Sequence, residues 1–535
     1  MMDKRTLWVV VACMAALFIM QKVVNTIWPP IPKKPKPDTA IATNVEPPKV
    51  EGESPPSAEP KIEAAPAAVE TAEPRPPEQI VVLSNTFVRV EFTSHGGGIR
   101  TVELLHHRAN GAGNVILNQD APTPALATDT TAFTIEQPQS NVVVMRATGV
   151  TKQFTLGNDY LLQGRIEMAG GATNLSVTVG TAGPVDAKEP PDLIGVGWLV
   201  GESYEHAGLK HVKKEAQQKP ALATWAAVKS QFFTMLVTPA TNAVAIHFDK
   251  VTLPAPAGWK AKEPPQGMTA WLELSPSGAP TGSRVYEFSY YAGPKQYDRL
   301  VALGASQEDV MQFGMFGFFS VWLLKGMNFF YRLAPNYGVS IILITFIIKI
   351  IFWPVQAKSI KSMKEMQKFQ PAMQKLREKY KDDAQRMNAE MMKLYKEHKI
   401  NPFAGCLPMV VQIPVFYAFY TMLRSAIELR GAHFLWIKDL AQPDTIAKLA
   451  GFPLNPLPLV MGASMIWQMK LTPQTGDSQQ QKMMMFMPLI FLFICYTMSS
   501  GLVLYWTVQQ FLSIAQQWWS LRQVEPAPVT AGKKP

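Results

Sequence analysis

Five apolar runs in the last two hundred residues decide what this chain can fold into: 337–355, 406–427, 457–471, 484–498 and 501–519. Crossing a ~30 Å hydrocarbon core takes about 20 helical residues. Backbone polar groups inside lipid must be satisfied within the segment, so such runs are expected as transmembrane helices. The third and fourth are short; their ends must draw on flanking residues or thin the bilayer locally. A further run, 7–20, continues less purely to Trp28 and follows Lys4 and Arg5. No small-x-small cleavage site follows it, which marks residues 1–28 as a retained signal anchor and makes six spans. A simple soluble enzyme is excluded.

The remainder of the chain is of a different kind. Residues 29–78 hold fourteen prolines, eight glutamates and no aromatic residue, so 29–79 is expected as a disordered spacer of extended, polyproline character. Short β-type segments then follow. Val88, Val90 and Phe92 alternate with Arg89 and Glu91, and Leu175, Val177 and Val179 alternate likewise. Further β-rich runs at 142–145, 243–248 and 285–291 predict a large all-β sandwich over 80–303. An interfacial amphipathic helix is expected within 304–336, where Gly314, Gly317 and Lys325 interrupt the apolar pattern. Cys13, Cys406 and Cys495 lie in or beside apolar runs without metal-ligand spacing, so neither a disulfide framework nor a metal site is expected.

Net charge is +10, and the basic residues cluster beside the apolar runs, which points to cytoplasmic loops rather than to a specific nucleic-acid sequence. Residues 358–399 carry twelve Lys/Arg against six Asp/Glu. This loop is therefore read as cytoplasmic, which puts both termini inside and residues 29–336 outside the membrane. Met363, Met366, Met373, Leu376 and Tyr380, then Met387, Met391 and Leu394, fall at helical spacing and predict a hairpin over 358–400, with Asp382 and Gln385 as a capping box. A cytoplasmic tail, 523–535, follows the five-helix core, 337–522.

Lys349 is the one charge well inside a span of the C-terminal bundle. A central Lys costs roughly 2.5–3.5 kcal/mol on insertion scales and normally faces a bundle interior or a water-filled cavity. Thr345, Lys349 and Gln356 share a helix face, with Ile344 and Ile351 expected toward lipid. Other spans offer matching polarity: Gln412; Ser464 and Gln468; Tyr505 and Gln509; Trp506 and Gln510. Taken together these predict a hydrated groove, although each taken singly is equally an interhelical packing bond.

The stretch Asn401-Pro402-Phe403-Ala404-Gly405-Cys406-Leu407-Pro408, followed by Gln412, Pro414 and Phe416, resembles the third-span signature of the YidC membrane-protein insertases. Thr345-Phe346 with a cation four residues after the threonine resembles the family's second span, and the run from Ser500 through Gly501 to Tyr505 its sixth. Ser94-His95-Gly96-Gly97-Gly98 and Tyr291-Ala292-Gly293-Pro294-Lys295 resemble pieces of the exported β-domain of its Gram-negative members. In two places the chain departs from the family: Lys349 stands where arginine is usual, and Ser499 where proline is frequent. Lysine keeps the charge without the guanidinium fork.

The resemblance implies an insertase that makes and breaks no bond and needs no cofactor. Its clients are nascent membrane proteins, its surroundings the lipid bilayer, and its further partners the Sec translocon and, through hairpin and tail, ribosome and signal-recognition machinery. Groove residues carried over are Lys349, Thr345, Gln412, Ser464, Gln468, Tyr505, Trp506 and Gln509. Pro414, Phe491 and Ile494 form a substrate slide, and Gly405, Cys406, Pro408 and Gly501 are structural. Two other classes stay open. A solute or ion transporter also puts polar groups in spans, but this sequence has no inverted repeat and no carboxylate near the lysine. A membrane-tethered carbohydrate-active protein is suggested by the likeness of the family's β-domain to mutarotase sandwiches. Against it, His95, His106, His107, His206, His211 and His247 have no attached carboxylate motif.

Overall fold

The computed structural model describes residues 77–522 apart from 110–112, 129–131, 171–173, 188, 211, 213–216, 257–258, 260–261, 277–282, 381–382, 399–406, 450 and 472–477. The expected anchor, nearly all of the spacer, the tail, Gly405, Cys406, Asp382 and His211 lie outside the described residues. The chain forms two compact units that meet in sequence between Val310 and Met311.

The first unit is built of two antiparallel sheets. One has the order β1 (Ile80–Ser84), β2 (Val88–Thr93), β3 (Gly98–Arg108), β4 (Asn114–Leu117). The other contains β5 (Thr134–Gln139), β6 (Val142–Ala147), β7 (Val150–Leu156), β8 (Leu161–Ala169), β9 (Leu175–Ala182), β10 (Gly195–Val200), β11 (Ser203–Gly208), β12 (Gln217–Lys229), β13 (Phe233–Pro239), β14 (Ala243–Thr252), β15 (Gln266–Leu274) and β16 (Ser283–Pro294). Its order is β5-β6-β7-β8-β16-β13-β12-β14-β15-β9, with β10 joining β12 and β11 joining β10. The alternation read from sequence is physical: Val88, Val90 and Phe92 point into the core while Arg89 is exposed. Phe92 of the small sheet stacks on Phe154 of the large one at 5.4 Å, and Trp198 stacks on Phe248 at 5.6 Å. Each such fully buried apolar side chain contributes about 1.5–3 kcal/mol.

Lys152 explains the triple-glycine turn. Its ammonium donates to the carbonyls of Gly96 (3.0 Å), Gly97 (2.7 Å) and Leu126 (3.3 Å). Gly97 has a positive φ of 58°, and a Cβ there would sit 2.5 Å from the Phe133 ring. Only glycine fits. One expectation about this unit is corrected: His247 does have a carboxylate partner, Glu273, at 2.7 Å. The two lie on neighbouring strands, β14 and β15, so sequence separation hides the pair.

Short helix α1 (Tyr297–Leu303) closes the first unit. The second unit is helical: α2 (Gly317–Leu333), α3 (Tyr337–Lys368), α4 (Gln370–Lys379), α5 (Ala384–Glu397), α6 (Leu407–Ser425), α7 (Pro456–Leu471), α8 (Ser478–Cys495) and α9 (Ser500–Arg522). α9 packs against α3 and α7, α2 against α3 and α6, and α8 against α7. Among the described residues, α3 is the helix both long and apolar enough to cross a membrane by those two measures, and Phe486–Cys495 is a shorter apolar segment.

Two helix boundaries differ from the sequence reading. The second span and the start of the basic loop form one 32-residue helix, so Met363 and Met366 belong to α3 and the hairpin proper begins at Gln370. The cap of α5 is Asp383, whose carboxylate accepts the Arg386 N–H at 2.9 Å, one residue beyond the expected Asp382. Met373 is buried in the hairpin, and its sulfur accepts from the Tyr395 hydroxyl at 3.2 Å.

Candidate substrate groove

α3 starts at a satisfied cap, with the Asn336 side chain accepting the Val339 N–H at 3.2 Å, and runs through the interior of the helical unit. This places Lys349 at 2% exposure. Its Nζ donates to Gln356 Oε1 on the same helix (2.5 Å) and to Ser513 Oγ on α9 (2.8 Å). Glu365 is the sole carboxylate in the sequence of α3, α6, α7, α8 and α9, and it lies sixteen residues along α3, about 24 Å away. The ammonium is thus held by two neutral oxygens, with a third N–H direction beyond these bonds.

α9 supplies the other wall. Tyr505, Gln509 and Ser513 recur every four residues and share one face. The Tyr505 hydroxyl accepts from Gln412 of α6 at 2.6 Å, and its ring stacks on Phe419 at 4.0 Å. Ser513 Oγ donates back to the Gln509 carbonyl at 2.8 Å, which leaves its lone pairs for Lys349. Gln509 Oε1 and Trp506 Nε1 are buried without a hydrogen-bond partner. Leaving such atoms unpaired costs about 1–3 kcal/mol each, the penalty that a polar guest or water relieves.

The residues singled out from sequence therefore gather in part. Lys349 meets Gln356 on its own helix and Ser513 on α9; Gln412 and Tyr505 meet each other; Trp506 packs edge-on to Phe416 (4.8 Å) and against Phe491 (5.0 Å). Thr345 is fully buried beside the lysine's face, its hydroxyl donating to the Ile341 carbonyl of its own helix at 2.6 Å. Ser464 likewise donates to its own helix, at Met461, and Gln468 is half-buried one turn further along α7. Pro414 lies inside α6 and Ile494 is exposed on α8, next to exposed Ile490 and Phe493. Pro408 occupies the first turn of α6. Gly501 donates to the Leu440 carbonyl at 2.8 Å, and a Cβ there would press on that oxygen at 3.1 Å.

Two corrections follow. Ile344 is buried, and Gly326 of α2 leaves room for its Cδ1; the exposed large apolar residues of α3 are Phe346, Ile350 and Trp353. Sequence reasoning also missed Ser513, the lysine's partner, and Gln516, which donates to the Trp353 carbonyl at 3.2 Å. The signal for Ser513 was present as the i+8 continuation of Tyr505 and Gln509.

Residues 80–325 match the family model for the YidC periplasmic domain, and residues 329–527 that for the 60Kd inner membrane protein. The membrane protein insertase YidC of Pelobacter propionicus is 33% identical over 96% of this chain and 98% of its own. That of Oleidesulfovibrio alaskensis is 36% identical over 71% of each chain, and that of Geobacter sulfurreducens 48% identical over 46% of this chain and 45% of its own. Among solved structures, an active YidC insertase with its first transmembrane domain resolved is 18% identical, covering 82% of this chain and 91% of that one, with a TM-score of 0.36. A galactose mutarotase related enzyme from Lactobacillus acidophilus is 12% identical over 40% of this chain and 97% of that one, with a TM-score of 0.27.

Proposed function

The chain belongs to the YidC family of membrane-protein insertases, and we propose that it moves the polar flanks of nascent membrane proteins through a hydrated groove between α3, α6 and α9. The observation that carries this reading is Lys349, a buried cation inside an apolar helix, held by Gln356 and Ser513 with no carboxylate bonded to it among the described residues. A polar flank cannot enter hydrocarbon unaided. In the groove, Lys349 attracts its acidic residues, while Gln412, Gln509 and Trp506 offer hydrogen bonds. The client's apolar segment leaves along Pro414, Phe491 and Ile494, driven by its own transfer into lipid at about 25 cal/mol per Å² of apolar surface.

In this reading α3, α6, α7, α8 and α9 span the inner membrane together with residues 1–28, both termini are cytoplasmic, and α2 lies at the interface. The hairpin α4–α5 meets arriving chains with their ribosome and signal-recognition machinery, and the Sec translocon is a second partner. No bond is made or broken, so the protein works as a chaperone of transfer.

Cysteine accessibility tests the groove. With Cys13, Cys406 and Cys495 replaced, single cysteines at Thr345, Gln412 and Trp506 are expected to react with a membrane-impermeant thiol reagent from the cytoplasmic side and poorly from outside, since only the thiolate attacks. Cysteines at Phe346 and Ile350 are expected to resist from both sides. Groove positions as inert as these controls would overturn the hydrated groove, and equal labelling from both faces would make the protein a channel.

A further inference from the structure

The segment between α6 and α7 carries two narrow tips that display large apolar side chains. In the first, Phe434 and Ile437 exchange backbone hydrogen bonds at 2.9 and 2.8 Å, leaving Leu435 and Trp436 at the turn. Leu435 is 73% exposed and sits at a positive φ of 50°. That left-handed backbone costs a leucine about 1–2 kcal/mol, and asparagine or glycine would occupy it more cheaply. In the second, the strands Ala447–Leu449 and Phe452–Leu454 pair Leu449 with Phe452, which are 64% and 79% exposed, and Ile446 is exposed beside them.

Both tips are fastened at the same ends of the helices. The buried Asp444 carboxylate accepts from Trp436 Nε1 (3.1 Å) and from the Leu457 N–H in the first turn of α7 (2.7 Å). The Tyr496 hydroxyl, just past α8, donates to the Pro453 carbonyl at 2.5 Å, and Asn455 Nδ2 donates to the Tyr496 carbonyl at 2.7 Å. Ser500 and Gly501 at the start of α9 donate to the carbonyls of Gln442 and Leu440 at 2.9 and 2.8 Å. On the α3 side, Asn336 Nδ2 donates to the His433 carbonyl at 3.2 Å.

Resting on the reading that these helices span the membrane, we propose that the two tips are an anchor buried in the lipid leaflet on the exported side, at the boundary between headgroups and acyl chains. α7 has 16 residues and rises about 24 Å, against a hydrocarbon core of ~30 Å. Apolar lipid therefore extends past the end of α7, to the level where Leu435, Trp436, Leu449 and Phe452 stand. Trp favours that depth, and exposed Lys438 and Lys448 reach toward headgroup phosphates. None of the segment's three acidic residues stands at a tip: Asp439 accepts the Ala441 N–H at 2.8 Å, Asp444 is engaged as above, and Glu428 keeps a carboxylate oxygen buried near the end of α6. An apolar tip held rigidly at this level pins the bilayer where the short spans thin it.

The test uses the full-length cysteine-free protein in bilayers of phosphatidylethanolamine and phosphatidylglycerol. Single cysteines at Leu435, Leu449 and Phe452 carry an environment-sensitive fluorophore, with Ser203 on the exposed strand β11 as the aqueous reference. All three side chains are exposed, so replacing them removes little packing. Blue-shifted emission is expected at the three tips, quenched several-fold more than at Ser203 by lipids brominated near the headgroup. Water-like emission at the tips would overturn the anchor. So would blue-shifted emission that brominated lipids leave unquenched, because the tips would then be covered by protein. Insertion of a client by the same proteoliposomes is scored separately: unquenched tips with insertion intact sink the anchor alone, and quenched tips without insertion sink the insertase mechanism alone.

Discussion

Two of the almost completely buried lysines, Lys152 in the β unit and Lys349 in the helical unit, are held in opposite ways. In the β unit, the ammonium of Lys152 meets three backbone carbonyls and lies 4.7 Å from the centre of the Phe133 ring. In the helical unit, Lys349 meets two side-chain oxygens, those of Gln356 and Ser513. Carbonyls fixed by a sheet and a glycine turn cannot leave, so Lys152 is part of the scaffold. Side-chain oxygens rotate away at the cost of a rotamer change, which is what the proposed exchange of one Lys349 partner for a guest requires. Burial of a charge does not identify a functional site; the exchangeability of its partners does.

The largest effect that would break this comparison lies in the scaffold. Lys152→Met leaves three buried carbonyls without a donor, and at about 1–3 kcal/mol each the β unit is expected to lose at least about 3 kcal/mol of stability. Hydrogen exchange read on peptides of the β unit measures it. Peptides of α3 and α9 are expected to stay protected. Unchanged exchange around Gly96–Gly98 would mean that the carbonyls find water and that Lys152 is no staple.

Lys349→Glu comes next. Charge reversal is expected to slow insertion of clients with acidic exported flanks by about tenfold, equivalent to ~1.4 kcal/mol, while Lys349→Arg retains activity. Insertion assayed in a depletion strain reads both. Full complementation by the Glu variant would remove the electrostatic role and make Lys349 as structural as Lys152.

How much of this was legible differs between the two lysines for a physical reason. A charge in an apolar helix announces itself by its cost, so Lys349 stands out in the bare sequence. Lys152 was legible too, in a weaker code: Lys152, Phe154 and Leu156 share parity in β7, and all three are buried. A lysine in a strand that also holds Thr151 and Gln153 reads as solvated unless parity is enforced. The sheet order and the His247–Glu273 pair were not legible, because strand register is set by partners far along the chain. The same holds for the buried face of Ile344, which depends on where α2 packs. Helices lie over the five apolar runs, whereas the end of α3 was not legible, since its polar continuation to Lys368 keeps helical propensity after the apolar run stops.

Lys229 sharpens the comparison from a third side. It is buried, its Nζ donates to the Tyr204 hydroxyl at 2.8 Å, and burial together with nearby Lys295 pushes its pKa well below the ordinary 10.5. Between that lowered value and 10.5, the unfolded chain holds a proton that the folded one has released, so stability from this group rises with pH. Below the lowered value both states are protonated and the cost of burying the charge is fully present. Lys229→Met is expected to flatten the alkaline rise in protection of β12 and to leave Lys152-dependent protection at Gly96–Gly98 unaltered. A rise that persists in the variant would assign it to another group.

The smallest expected effect is the most discriminating. Ser513→Ala removes one of two acceptors from Lys349, and an acceptor that only trades with water is worth about 1 kcal/mol, roughly fivefold in rate at most. If the pair works as argued, the loss should fall on clients with acidic flanks and spare neutral ones, because the serine acts by holding the ammonium where those flanks pass. Ser513→Thr, which keeps the hydroxyl, should restore the rate. The double variant Lys349→Met with Ser513→Ala should be no slower than Lys349→Met alone, since without the ammonium the serine has nothing to position. Equal slowing of acidic and neutral clients, or additive losses in the double variant, would mean that Ser513 only packs α9 against α3, and that the partners of Lys349 are as fixed as those of Lys152.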